Sequence, residues 1–314
     1  MSNPNSPSAV RGAVGDLDLR PGDVVVAVND TEQPVDFRAG LKGWGRLWLC
    51  DADLKARGEW RTGRPGLVIG LMLDPPGRFF VSSPQLHELE CFDATTAACA
   101  VRLPPSRRYG NMTADGRGGV LIGVHSGYGD AKGVGATDGL GDGKLVRFDP
   151  ETGFAESFDV ETDGGRGGKH YVSNLALAPD GRTVFYTSEA GRVVKRYDVE
   201  ARRQLEDFLR LPEGEGGTYG VDVAPDGRVL LATGTGAWLL SPQGETIRRY
   251  DSPIVGGWTR AAFCADPSAF FFSNFVEGVL EKRSVATGEV LAELKTGLGG
   301  ALTTAVEFAP RGGV

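Results

Sequence analysis

Cysteine is scarce: four in 314 residues, at Cys50, Cys91, Cys99 and Cys264. They form no C-x-x-C pair and share no metal-type spacing with a histidine. This argues for buried free thiols in a reducing cytoplasm rather than a disulfide framework or a zinc site. Long apolar runs are missing too, none approaching the about 18 residues of a membrane helix. The opening "MSNPNSPSAVRGAVGDLDLR" has no apolar stretch of the kind a secretory signal carries. Residues 1–20 therefore read as a disordered lead-in, and residues 21–314 as one domain. Basic charge is in deficit, with 34 Lys and Arg against 41 Asp and Glu, a net charge of −7. That balance argues against the broad basic surface of a nucleic-acid binder.

Several catalytic signatures are absent as well. There is no G-x-S-x-G elbow. "DGGRGGKHY" approaches a phosphate-binding loop, but Asp163 stands where its first glycine belongs and His170 where Ser or Thr must meet Mg²⁺. "GVGATDG" has no helix to follow it, which argues against a dinucleotide site. Asp138 and Asp142 in "DGLGDGK" give only a weak calcium signal.

Turn formers are abundant. Gly (47) and Pro (18) make up about a fifth of the chain, which favours many short strands. One phrase recurs: "YVSNLALAPDGRTVFYTS" and "YGVDVAPDGRVLLATG" share an apolar strand, A-P-D-G-R and a second strand, with Gly181 and Gly227 46 residues apart. Such a period marks stacked modules. "LMLDPPGRFFVSS", "NMTADGRGGVLIGVHS" and "AAFCADPSAFFFSN" fit the same template. Each copy is followed by a third strand ending near Asp or Ser, such as "GKLVRFD" or "GVLEKRS", and by a fourth. Apolar and polar residues alternate as in strands, not helices.

Five units are complete. The C-terminal "LTTAVEFAPRGG" is a first strand with nothing after it. "DVVVAVND", "GRLWLCD" and "ARGEWRTG" near the start lack a first strand. Joining the two ends closes a ring and removes its exposed edges. The expected fold is all-β, a six-bladed β-propeller with four-stranded antiparallel blades; five blades with a β-tail is the rival count.

In such a ring the first strands line a central channel, and the loops entering them share one face. Counting eight residues back from each turn puts Ile69, Arg108, Ser173, Tyr219, Arg260 and Thr304 at the mouth. Tyr109, Lys169, His170, Tyr171, Asn174, Trp258 and Thr259 lie at the same level. Second-strand ends add Asn29, Ser83, His125, Glu189, Thr233 and Asn274. Two long loops, roughly Thr31–Trp44 and Ser126–Gly143, read as lids over this mouth. Arginines, tyrosines and a tryptophan together suit a small, partly apolar ligand with a carbonyl or anionic group. Arg108 and Arg260 are expected to hold its oxygens, with Tyr109, Tyr171, Asn174, Tyr219, Trp258 and Thr304 shaping the pocket. His170, His125 and Glu189 are the expected proton-transfer groups. The bland alternative is polar capping of strand ends.

"SNLALAPDGRTVFYTSEAGRVVKRYD" resembles the repeat of the SMP-30/gluconolactonase family and its strictosidine-synthase-like and NHL-type relatives. The resemblance implies a six-bladed propeller with a small-molecule site at the channel mouth. Lactonases of that family hold a divalent metal through a Glu, two Asn and an Asp. Carried over, these fall on Thr304, Arg108, Ser173 (with Asn174 one residue late) and Tyr219, a poor set for a hard cation. The expectation is a metal-independent enzyme without cofactor, a monomer or weak oligomer, acting by acid–base chemistry on a small metabolite. A metal-dependent lactonase and a non-catalytic binding or scaffold propeller are the alternatives.

Overall fold

A computed structural model describes residues 19–31, 43–65, 67–74, 78–83, 88–93, 99–102, 108–125, 143–163, 171–297 and 302–308. All regular structure among them is β, in six antiparallel sheets. The first blade runs outward from Leu302–Glu307 through Val24–Thr31 and Gly43–Cys50 to Ala56–Pro65. The second contains Gly70–Asp74, Arg78–Ser83, Glu88–Asp93 and Cys99–Arg102; the third Tyr109–Ala114, Val120–Val124, Lys144–Phe148 and Ala155–Asp159. The fifth is built from Val221–Val223, Val229–Ala232, Gly236–Leu240 and Thr246–Asp251, the sixth from Trp258–Phe263, Ala269–Asn274, Val279–Ser284 and Val290–Lys295. The chain is a six-bladed β-propeller, closed by one C-terminal and three N-terminal strands.

The fourth blade departs from the regular pattern. Inside Asn174–Leu177, Thr183–Thr187 and Val193–Asp198, its outermost strand is split into Arg203–Gln204 and Leu209–Arg210, both paired with the third strand. Asp207 turns inward between them to meet the ammonium of Lys195 at 2.9 Å. Leu205 and Phe208 still donate to Arg196 and Val194, so the ladder resumes around the bulge.

The recurring Asp residues are turn clamps. Asp180 Oδ1 accepts from the amides of Arg182 (2.9 Å) and Thr183 (2.8 Å) in the first-to-second turn, and Asp226 accepts from Arg228. In the third-to-fourth turn Asp51, Asp149 and Asp198 do the same, with Ser241 and Ser284 replacing them in the last two blades. A side-chain oxygen that satisfies turn amides is why the sequence repeats an acid there.

These bonds also tie stability to pH. The Thr152 hydroxyl on Asp149, the Arg182 guanidinium on Asp198, the Arg228 amide on Asp226 and the Ser268 amide on Asp266 hold each carboxyl below its ordinary value. A depressed native pKa stabilises the fold above the unfolded value, and the contribution is lost as pH falls through the native one. The urea midpoint is expected to hold from pH 7 to 5 and to drop steadily between pH 4 and 2. A flat midpoint across pH 5 to 2 would contradict the clamps.

The core consists of inter-blade seams, each fed by two neighbouring sheets. Val24, Val26, Val28 and Trp48 of the first blade meet Phe271, Leu280 and Leu294 of the sixth. Met72 and Phe80 meet Tyr109 and Ile122; Phe185 and Val194 meet Leu231 and Trp238. Cys50 and Cys264 share the closing seam as free thiols, where burial pushes both up to about 12. They are packing groups, not nucleophiles.

Where the inner strands begin, several second strands are stitched to the next blade. Asn29 Nδ2 donates to Val68 O (3.1 Å) and Asn29 Oδ1 accepts from Val68 N (2.8 Å). Ser82 Oγ donates to Gly110 O (2.6 Å) and Thr187 Oγ1 to Tyr219 O (2.6 Å). Such bonds contribute about 1 kcal/mol each and fix the angle between blades. Polar capping therefore accounts for Asn29. Asn274 and Thr233 are likewise spent on nearby backbone groups. No described helix is long and apolar enough to cross a membrane.

Candidate functional site

Between the third and fourth blades the end of the second strand is stitched by its backbone, Val172 N donating to Val124 O at 3.1 Å, and Asn111 Nδ2 donates to Ser173 O at 2.8 Å beside it. The residue after Val124, His125, donates its amide to Arg108 O (2.7 Å) and has a side chain with another task. Its Nε2 lies 3.5 Å from Glu189 Oε2, on the neighbouring blade. The Tyr171 ring packs on the imidazole, centroids 4.6 Å apart, and its hydroxyl donates to Glu189 O at 3.2 Å. All three residues flank strand ends on the face where inner strands begin. His125 and Tyr171 are buried, while the Glu189 side chain keeps 28% of its surface. An imidazole held between an aromatic face and a carboxylate from the adjoining blade is fixed in orientation.

Other expected site residues are distributed differently. Arg108, buried, immediately precedes the third inner strand beside His125. Tyr219 is half-buried, its ring lying over Gly234; that residue has φ +82°, and a Cβ there would come within 2.6 Å of the ring. Thr304 is enclosed in the closing strand, opposite Ala27. Tyr109 and Trp258, expected to shape the pocket, are instead seam residues with no exposed surface. Tyr109 packs among Met72, Phe80 and Ile122. Trp258 stacks on Phe272 at 4.0 Å and donates its indole N–H to Ile254 O at 3.0 Å. Asn174 is committed too, its Oδ1 accepting from Val221 N at 3.1 Å. His170, His87 and Lys169 lie outside the described residues, as do all but the end residues of both expected lids, Thr31–Trp44 and Ser126–Gly143.

Arg260 is the third residue of the sixth inner strand. Burial opposes the charge of its guanidinium while Asp222, on the inner strand of the fifth blade, supports it. Asp222 was not singled out by the sequence. Burial raises its pKa, against the opposing pull of Arg260 and of two backbone amides. The signal was available in the repeat: Asp222 stands where the preceding copy has Ala176, in V-D-V against L-A-L. Gly220 lets this pair of strands approach, since a Cβ there would lie 2.8 Å from Arg260 Cα.

The metal positions carried over from the lactonases do not fit a hard cation. Ser173 Oγ donates to Thr187 O (3.0 Å), the Asn174 amide is taken, and Arg108 brings a positive charge. No cluster of three or more His, Cys, Asp or Glu groups suited to a metal occurs among the described residues. Asp163, from the phosphate-loop-like segment, is a turn clamp accepting from Arg192 and Val193 N.

No family model and no curated protein matches the chain. Solved structures do. A chain of the nidogen/laminin complex superimposes with a TM-score of 0.63 at 7% identity, covering 91% of this chain and 98% of that one. A catalytically inactive histidine-to-alanine variant of virginiamycin B lyase from Staphylococcus aureus, crystallised with quinupristin, gives 0.54 at 12% identity, covering 86% and 84%. The likeness is one of fold.

Proposed function

We propose that this protein is a small-molecule enzyme using acid–base chemistry at the channel mouth, with His125 and Glu189 as the proton-transfer pair. The supporting observation is the 3.5 Å approach of His125 Nε2 to Glu189 Oε2 across two blades. At other second-strand ends Asn29, Thr233 and Asn274 are spent on stitching or capping; this end brings two titratable side chains together. Glu189 would orient the imidazole and support its cationic form while His125 moves a proton on the substrate. Arg108, beside His125, would hold a carbonyl or carboxylate oxygen against the charge that develops. The fitting reactions are ring opening or closure, isomerisation, and lactone or ester cleavage on a carbonyl-bearing or anionic metabolite. The likeness to a lyase whose histidine variant is inactive favours this class. It fits the resemblance to SMP-30-like propellers in architecture, while the donor set argues for a site that works without a metal.

The likeness to a chain of the nidogen/laminin complex favours a second reading, a propeller that binds another protein. Turnover separates the two. Purified protein, dialysed against EDTA, is to be incubated with a panel of lactones, cyclic esters and oxo acids and followed by NMR. Conversion of one class at an undiminished rate in EDTA is expected. Conversion that stops in EDTA and returns with a divalent ion would overturn the metal-independent reading. No conversion across the panel would favour the binding one.

A further inference from the structure

Arg260 carries donors that no other group of the fold meets. Its Nε and Nη1 are enclosed by protein and have no hydrogen-bond partner, although the residue as a whole is only half-buried. Directly opposite in the antiparallel register stands Ser273, 1% exposed, whose Oγ also lacks a partner. A cross-strand pair presents both side chains on one face, so three unused donors share it. Asp222 does not close on the guanidinium. Its carboxylate accepts from Val223 N (2.9 Å) and Phe263 N (2.8 Å). Enclosed donors without partners are rare and costly, and an enclosed guanidinium more so. Folds keep such groups where a ligand repays them.

We propose that Arg260 and Ser273 form an anion-recognition subsite that takes a monocarboxylate group of the ligand. The guanidinium fork has two edges, Nε/Nη2 and Nη1/Nη2, and each includes one of the unused donors; either edge matches a planar carboxylate. Charge sets the class. One guanidinium with the Asp222 carboxylate nearby offers at most one positive charge, which disfavours a phosphate dianion. Arg260 belongs to the sixth blade and His125 to the third, on opposite sides of a six-fold ring. A ligand gripped at one wall would present its other end to the opposite wall. This names the substrate class and rests on the acid–base reading for its catalytic meaning, but not for binding itself.

The test is NMR of the arginine Nε–H resonances, with Arg260 assigned by comparison with Arg260→Met. Pyruvate, benzoate and inorganic phosphate are the probes, and sodium chloride is the ionic-strength control. Expected is a saturable shift of the Arg260 resonance with a monocarboxylate, at least about tenfold weaker with phosphate, and absent with chloride. Arg260→Met is expected to lose at least about tenfold in carboxylate affinity. Ser273→Ala, a milder change that keeps the test open should the first variant not fold, is expected to lose several-fold. His125→Gln is expected to bind carboxylate as the wild type does. No saturable shift, or the same shift with chloride, would overturn the proposal, as would unchanged affinity in both Arg260→Met and Ser273→Ala. Carboxylate binding without any turnover would sink the acid–base reading and leave this subsite standing. Turnover of uncharged substrates without carboxylate binding would do the reverse.

Discussion

Replacing His125 by alanine is expected to lower kcat by about 10²–10⁴-fold, the range that positioned proton transfer supplies. KM should move little, because the imidazole is assigned to the moving proton rather than to holding the ligand. Two controls separate chemistry from packing. The Tyr171 ring loses its aromatic neighbour in this variant, so a modest fall in melting temperature is expected alongside the kinetic loss. Added imidazole should restore part of the rate if the missing group is a proton carrier, and none if the seam has collapsed. Glu189→Gln keeps the shape and removes the charge that supports the imidazole, so its loss should be smaller than that of His125→Ala. A fall in kcat of less than tenfold for His125→Ala would contradict the assignment.

Truncation after Gly297 is expected to abolish cooperative unfolding altogether. The deletion removes Leu302–Glu307, the inner strand of the first blade, and with it the ladder that runs along Val24–Val28. It also strips Leu302 and Ala305 from the seam where the first and sixth blades meet. Two stitches go as well, Thr303 Oγ1 to Val68 O at 2.8 Å and Ala265 N to Glu307 Oε2 at 3.0 Å. An open ring exposes a long apolar edge, and such edges pair with other chains. The truncated protein should therefore aggregate or give a broad, non-cooperative melt by circular dichroism. A sharp transition near the wild-type midpoint would mean that the ends do not close the ring.

The blade pattern was legible because its causes are local. Short apolar runs mark the strands, and Asp180 followed by Gly181, the latter at φ +71°, writes the turn into the chain. Closure was legible because an orphan first strand at one end matched three orphan strands at the other. Side-chain direction at the mouth was less so. Counting back from the turn assumes an unbroken alternation, yet the register shifts between Tyr109 and Met112, between Trp258 and Arg260, and between Ala27 and Val28. Each bulge changes the parity of the residues beyond it, and a one-residue slip exchanges channel for seam. That is why Tyr109 and Trp258 pack between blades. The split outer strand of the fourth blade was hidden for another reason: the pull of Lys195 on Asp207 is a tertiary contact that alternation does not encode. Asp222 and Ser273 gain meaning only from what stands beside them.

Diffraction from crystals soaked with a converted monocarboxylate substrate tests the account most directly. Its carboxylate should lie against Arg260 and Ser273, with the reacting carbon near His125 and Glu189. Density on an outer blade surface, or a divalent ion on the axis held by protein oxygens, would contradict it.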